Sequence, residues 1–316
     1  MVNDASTDKS LEVCRQYAAR DSRIIIIDKP KNEGIELARN SGYEIASGEY
    51  VMHIDADDWL DHKRVVTTMY RKAEETGADY VEIGMQRVMD RHKLITQKCA
   101  SPRPIMIEQP ELFDKYFLSF FGVNILSVNI WGKLYRKSKL DSAGIKPAGV
   151  SMGEDLAYNI QLFPHLEKIY ISDEIGYNYR LGGMTGHYNS RLLPDLKQLY
   201  MLKEELIARY RYYKAYDWVR IELKNVLKTD ICQRIAYGVG GGKAAVIDAV
   251  SAEITDPIYS KLVEIDSTST FWEDPFVKAF MSKDAAAMYA ICRSQVQRDY
   301  PKRILKKAGF KVLNLI

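Results

Sequence analysis

The acidic run Asp55-Ala56-Asp57-Asp58 follows directly on the apolar stretch Tyr50 to Ile54. In an extended strand residues i and i+2 point the same way, so Asp55 and Asp57 are expected to converge beyond the carboxyl edge of a sheet, where open α/β sheets bind ligands. An oxygen-only pair of this kind suits Mg²⁺ or Mn²⁺, which bind through one or two carboxylates and leave positions for phosphate oxygens. Taken alone, an Asp-x-Asp pattern reads more readily as a solvated turn, with Asp58 or Asp61 capping the next helix. The surrounding elements decide between the two.

Those elements alternate two hydrophobic periods over the first ninety residues. Leu11, Cys14, Tyr17 and Ala18 recur at helical spacing, and Ile24 to Ile27 reads as a short buried strand. A polar loop from Asp28 to Gly34 leads into a helical stretch with Ile35, Ala38 and Ile45, and Tyr50 to Ile54 reads as strand. Val65, Val66, Met69, Tyr70 and Ala73 form a further helical face closed by Gly77, ahead of the strand Tyr80 to Met85. Alternation of this kind predicts an α/β fold with a mostly parallel sheet covered on both faces. Beyond it the spacing predicts a loop over Arg91 to Pro110, a helix bearing Phe113, Phe117 and Phe120, a strand over Val128 to Tyr135, and a helix from about Glu154 to Glu167. From Leu192 onward nearly everything reads as helix. The expected division is an α/β domain over 1–190 and a helical region over 191–316.

Several short motifs stand in a fixed order along the first of these. Asn3-Asp4-Ala5-Ser6-Thr7-Asp8, then Asn32-Glu33-Gly34 with Ala38-Arg39-Asn40-Ser41-Gly42, then Ile54 to Leu60 resemble in turn the strand end, the loop and helix, and the D-x-D-D metal motif of the family 2 glycosyltransferases. These are inverting enzymes with a GT-A fold. The resemblance extends with lower specificity through Trp131-Gly132-Lys133-Leu134-Tyr135 and Gly153-Glu154-Asp155 to Tyr179-Arg180. Measured against that pattern the chain opens at the last residues of a strand and lacks the usual first strand and helix, so that either the true start lies upstream or part of the donor site is lost.

The resemblance implies a nucleotide-sugar donor. Asp4 would hydrogen-bond the base, Asn32 and Gly34 would help bind the nucleotide-sugar, Arg39 would lie near the nucleotide, Asp55 would reach the ribose or the metal, and Asp57 would bind the metal. Departure of a nucleoside diphosphate develops negative charge that a divalent cation, Mn²⁺ or Mg²⁺, and basic groups stabilise. Lys133 and Arg180 are candidate diphosphate contacts, and His187 a candidate third metal ligand. Inversion requires a base for the acceptor hydroxyl. Asp155, at a predicted helix start, is assigned that role, with Glu154 next in line. The implied reaction serves cell-surface polysaccharide or glycolipid synthesis, with a UDP-sugar favoured as donor and a glycan or lipid-linked acceptor.

Composition limits the alternatives. The chain has 316 residues with 47% apolar and 28% charged content, an ordinary globular balance, and its net charge of +3 is far from that of a dedicated nucleic-acid binder. The four cysteines form no C-x-x-C pair, and no run approaches the roughly 20 apolar residues of a membrane span, so a cytoplasmic location is expected. A basic amphipathic end, with Arg298, Lys302, Arg303, Lys306, Lys307 and Lys311 among apolar residues, would suit contact with the inner face of an anionic membrane. Two other readings compete. A metal-dependent nucleotidyltransferase would share the carboxylates, but a Gly-rich basic phosphate loop is absent between Met1 and Lys31. A catalytically impaired binding or scaffold protein of the same fold would share everything except turnover.

Overall fold

The structure, a computed structural model, describes residues 1–89, 94–123, 125–181, 188–239, 241–265 and 269–315, with residues 94, 96, 269 and 301–315 described through their backbone. It forms two compact units, Met1–Gly183 and Met184–Ile316.

The first unit opens with β1 (Val2–Asn3), α1 (Ser10–Ala18), β2 (Ile27–Asp28) and α2 (Ile35–Ile45). β1 and β2 pair in parallel as a small sheet of their own. Gly42 lets α2 approach β1 closely, because a Cβ there would lie 3.3 Å from the Val2 side chain. β3 (Tyr50–Met52), β4 (Trp59–Leu60), α3 (Val65–Thr76) and β5 (Tyr80–Met89) follow, then β6 (Leu94–Cys99), β7 (Ile105–Glu108), β8 (Lys133–Arg136), α4 (Lys137–Ala143), α5 (Glu154–Leu162) and β9 (Lys168–Arg180). The seven-stranded sheet has the order β3-β8-β5-β9-β4, with β6 on β5 and β7 on β9.

That sheet is mixed, which corrects the expectation of a mostly parallel one. β5 and β9 run in parallel, whereas β8 lies antiparallel to both β3 and β5, and β4, β6 and β7 are antiparallel to their partners. Parallel neighbours need long crossover connections, usually helices. The helix–strand alternation of the first ninety residues covers β1 to β5 alone, and helices α4 and α5 between β8 and β9 join strands that run in opposite senses. The stretch from Arg91 to Pro110, expected as loop, holds β6 and β7, and the segment bearing Phe113, Phe117 and Phe120 is a π turn and a 3-10 turn rather than one α-helix.

Strand alternation sends neighbouring residues to opposite faces. On one face Val65, Met69 and Ala73 of α3 meet Val81, Ile83, Leu134 and Tyr177 in a buried core. On the other, Tyr80 and Tyr135 sit with ring centroids 5.5 Å apart, and Lys133 is buried beside them. The second unit is helical: α6 (Leu192–Tyr210), α7 (Tyr216–Tyr237), α8 (Lys243–Glu253), α9 (Ser269–Glu273), α10 (Pro275–Met281) and α11 (Ala285–Leu315). Leu199, Leu206, Val219, Leu223 and Ile231 are buried in it. Among the described residues no helix is long and apolar enough to cross a membrane.

Close backbone approach makes Gly84 a sensitive position. A Cβ there would lie 2.6 Å from the Ala100 Cβ and 2.9 Å from the carbonyl oxygen of Glu174 on β9, so the sheet itself would have to shift. Gly84→Ala is expected to cost about 1–3 kcal/mol, as overpacking does elsewhere. A lowered urea midpoint for the unfolding of this unit checks it, and an unchanged midpoint contradicts the close approach.

Candidate active site

The site is assembled around one guanidinium. α2 begins at Gly34, whose φ of +90° suits a residue without a side chain, and carries Arg39 inward to 15% side-chain exposure. Arg39 Nη2 donates to Asp55 Oδ1 at 2.9 Å and Nη1 to Asp155 Oδ1 at 2.8 Å, with Glu154 Oε1 at 3.7 Å from Nη1. Three motifs far apart in sequence thus meet at one side chain. Burial opposes the charge of Arg39, but Asp155, Asp55 and Glu154 outweigh it and raise its pKa.

Asp55 sits just past the end of β3, held by its backbone. Its amide N–H donates to the Tyr177 hydroxyl at 3.3 Å, and its carbonyl accepts from the Asp58 amide at 3.1 Å, closing a turn. β9 anchors the far side of this turn. Asp58 Oδ1 accepts from the Arg180 amide at 2.8 Å, and Asp61 Oδ1 accepts from the buried amides of Gln86 and Asn178 at 3.1 and 3.2 Å. Asp57 is exposed at the tip. Burial, with Asp57 and Asp55 as like-charged neighbours, pushes the Asp58 carboxyl above its ordinary range, and its Oδ2 is buried with no hydrogen-bond partner. Among the described residues no group of three or more His, Cys, Asp or Glu is placed to hold a metal ion.

Glu154 and Asp155 open α5, after Gly153 at φ +88°. Burial raises the pKa of both carboxyls; each has an acidic neighbour pushing the same way and Arg39 pulling back. Asp155 Oδ2 also accepts from the Ile130 amide at 3.4 Å. The 127–131 segment that presents this amide is fixed from below. Lys133 donates to the Ser127 and Asn129 carbonyls at 2.8 and 2.5 Å, and Asn159 Nδ2 donates to the Val128 carbonyl at 2.7 Å and to the Asp155 carbonyl at 2.9 Å. A cavity of about 240 Å³ opens beside Arg39 and Glu154, lined by Tyr43, His53, Ile130, Leu140, Pro147 and Tyr158.

Not every expected residue joins this cluster. Lys133 is 1% exposed, its ammonium taken up by two carbonyls and by Glu82 at 3.6 Å, so it supports the 127–131 segment from inside instead of facing a diphosphate. Asp4 accepts from the Glu33 amide at 3.0 Å and the Gly34 amide at 2.8 Å and so shapes the loop ahead of α2; Asn32 is exposed in that loop. Arg180 lays its guanidinium 5.6 Å from the Trp59 ring centroid while its amide holds Asp58. His187 lies outside the described residues. Sequence reasoning missed Tyr177, Asn159 and Ile130. Tyr177 also stacks on Trp131, with centroids 4.7 Å apart, and Tyr179 lies at 5.4 Å from the same indole.

Residues 1–138 match the family model for Glycosyl transferase family 2. The chain is 27% identical over 219 residues to glycosyltransferase GlyA of Streptococcus pneumoniae, covering 67% of this chain and 30% of that protein. It is 28% identical over 218 residues to the uncharacterized glycosyltransferase EpsJ of Bacillus subtilis, covering 67% of this chain and 61% of that one. The chain therefore spans less than two thirds of the length of either relative. Its fold resembles that of S. aureus TarS 1-349, solved in complex with UDP, with a TM-score of 0.54 and 16% identity over 94% of this chain and 81% of that one. Over residues 1–138 the chain is thus similar to the family 2 glycosyltransferases, its relatives carry glycosyltransferase names, and the likeness to TarS bears on the fold alone.

Two outcomes follow from the site's electrostatics. Removing Arg39 leaves Asp55, Glu154 and Asp155 half-buried without their shared cation, so Arg39→Met is expected to destabilise the first unit by about 3 kcal/mol or more. Arg39→Lys should recover only part of this, because an ammonium cannot fork between two carboxylates. Urea unfolding of the two variants gives the order, and equal stability of all three proteins would refute the hub. The second concerns His53, whose imidazole is pushed down from 6.5 to about 4 by burial and then by Arg39. The unfolded chain binds this proton at higher pH than the folded one, so His53 makes stability fall as pH drops from about 6.5 to about 4. The raised carboxyls Glu154 and Asp155 act with the opposite sign, because the folded state holds their protons more tightly. Subtracting the pH–stability profile of His53→Gln from that of the native chain isolates the histidine, and a flat difference would show that it titrates normally.

Proposed function

We propose that this chain is an inverting glycosyltransferase. It moves a sugar from a nucleoside-diphosphate donor, a UDP-sugar by preference, to a hydroxyl of a glycan or lipid-linked acceptor during cell-surface polysaccharide or glycolipid synthesis. The single observation that carries this reading is the Arg39 fork, which couples the acidic strand end of Asp55 to the helix start of Asp155. Donor chemistry and acceptor deprotonation must be neighbours in a displacement at one carbon, and a guanidinium shared by Asp55 and Asp155 supports that reading.

Asp155 takes the proton from the acceptor hydroxyl as that oxygen attacks the anomeric carbon. Burial strengthens it as a base, while the Arg39 guanidinium and the α5 N-terminus keep it ionised. Glu154, beside it at the start of α5, is next in line for that role. Arg39 meets negative charge developing on the departing diphosphate once the donor lies across Asp55.

The donor set fits a hard divalent cation. Asp57 is exposed, Asp58 has a buried oxygen without a partner, and diphosphate oxygens would supply what the protein does not. Asp57 with Asp55 would hold Mn²⁺ or Mg²⁺, which supplies positive charge for the leaving group. The basic C-terminal sequence, Lys302 to Lys311, supports work at the cytoplasmic face of a membrane carrying lipid-linked acceptors.

Calorimetry with UDP and a panel of UDP-sugars in Mn²⁺, followed by donor turnover, tests the reading. Asp57→Asn is expected to weaken UDP binding about tenfold or more with the fold intact, and excess EDTA to do the same to the native chain. Asp155→Asn should keep donor affinity and lose turnover by about two orders of magnitude. Donor affinity indifferent to EDTA would remove the metal assignment, and undiminished turnover in Asp155→Asn would move the base elsewhere.

A further inference from the structure

The helical unit holds two thiols in an asymmetric setting. Cys232 lies half-buried on α7, and Cys292 lies fully buried on α11. The Cys232 thiol reaches the Cys292 carbonyl at 3.9 Å, and the Cys292 thiol reaches the carbonyl of Lys228, one turn before Cys232, at 3.8 Å. Each sulfur thus rests on the backbone of the opposite helix.

Access and basicity separate them. Cys232 lines a cavity of about 440 Å³ together with Lys228, Gln233, Gln295 and Asp299, whereas Cys292 is not among its lining residues. The neighbouring Cys292 thiol and the charge of Lys228 lower the pKa of the Cys232 thiol, against the opposing effects of burial and of Asp299. Cys292 is pushed up by Cys232 and by burial. A reachable thiol that ionises more readily, backed by a hidden protonated one, is the arrangement in which one sulfur attacks and the second resolves.

We propose that Cys232 and Cys292 form a thiol-exchange site that takes a small disulfide of the glutathione class and closes into a reversible bond between α7 and α11. In the first step the Cys232 thiolate attacks one sulfur of the small disulfide. The S–S bond of the small molecule breaks, one half leaves as a thiolate, and the other remains on Cys232 as a mixed disulfide. In the second step the Cys292 sulfur attacks Cys232 Sγ, the mixed disulfide breaks, and the remaining half leaves with the Cys292 proton. Two protein thiols are oxidised and one small disulfide is reduced to two thiols, so electrons and protons balance without another reactant.

The test treats the full chain with oxidised glutathione, blocks remaining thiols, and maps peptides without reduction. The native chain is expected to yield a Cys232–Cys292 linked peptide that dithiothreitol abolishes. Cys292→Ser should instead retain glutathione on Cys232, and Cys232→Ser should leave Cys292 unmodified. Cys14 and Cys99, both partly exposed in the other unit, report that the reagent is active. Modification of those two with Cys232 left free would overturn the proposal, as would glutathione persisting on Cys232 of the native chain. Should either variant fail to fold, the native peptide map decides alone.

Discussion

The guanidinium of Arg39 is the constraint on which the site rests. A planar fork with donors on both sides can hold two carboxylates at fixed separation, which a flexible ammonium cannot. Here it holds Asp55 at 2.9 Å and Asp155 at 2.8 Å, with the side chains only 15–23% exposed. At that burial neither desolvation nor attraction is negligible, and the balance depends on every partner being present. The consequence is geometric as much as energetic. The end of β3, the middle of α2 and the start of α5 cannot drift apart without leaving a charge unpaired.

Around that fork the protein divides its acids by environment. Asp57 is exposed, whereas burial holds Asp155 and Glu154, the latter in an apolar and aromatic cavity wall, above their ordinary range. The same wall keeps His53 neutral, with its ring edge-on to Tyr158 at 5.4 Å. Oppositely signed shifts on neighbouring acids and a base have one cause, the removal of water from around a charge. Only Arg39 escapes, because three carboxylates repay its burial.

The acidic strand end, the Arg39 helix and the Glu154-Asp155 pair were all legible in the sequence, because each is a short run whose chemistry and local element travel together. Their meeting at Arg39 was not, since a 116-residue separation between ion-pair partners leaves no local trace. Nor was the mixed sheet. Helical periodicity between strands suggests parallel crossovers, yet β8 and β9, joined by α4 and α5, run in opposite senses, because β8 is antiparallel and β9 parallel to β5; the period reports the helices and not which strands pair. Lys133 shows a different limit. Its neighbours Trp131 and Tyr135 mark a strand, yet nothing in the pattern says that a lysine there points inward to bind carbonyls; burial of a charge is decided by partners such as Ser127 and Asn129, which sequence spacing does not connect.

The two sides of the site are stabilised differently. Among residues 1–64, all of them described, Asn3 alone is buried, and the next buried residue is Val65 at the start of the α3 core. The elements bearing Asp4 and Arg39 are therefore held mainly by polar contacts: Asp4 to the Glu33 and Gly34 amides, Asn3 to Asp28 at 2.8 Å, and Arg39 to its carboxylates. Asp155, by contrast, stands on Lys133, Asn159 and the aromatic layer beneath them. Polar contacts at partial exposure contribute about 1 kcal/mol each, far less than a buried side chain set. The Asp4 and Arg39 side is thus the part that a bound ligand can most reinforce, because a nucleotide lying across it would add both apolar contact and charge where the protein supplies little of its own.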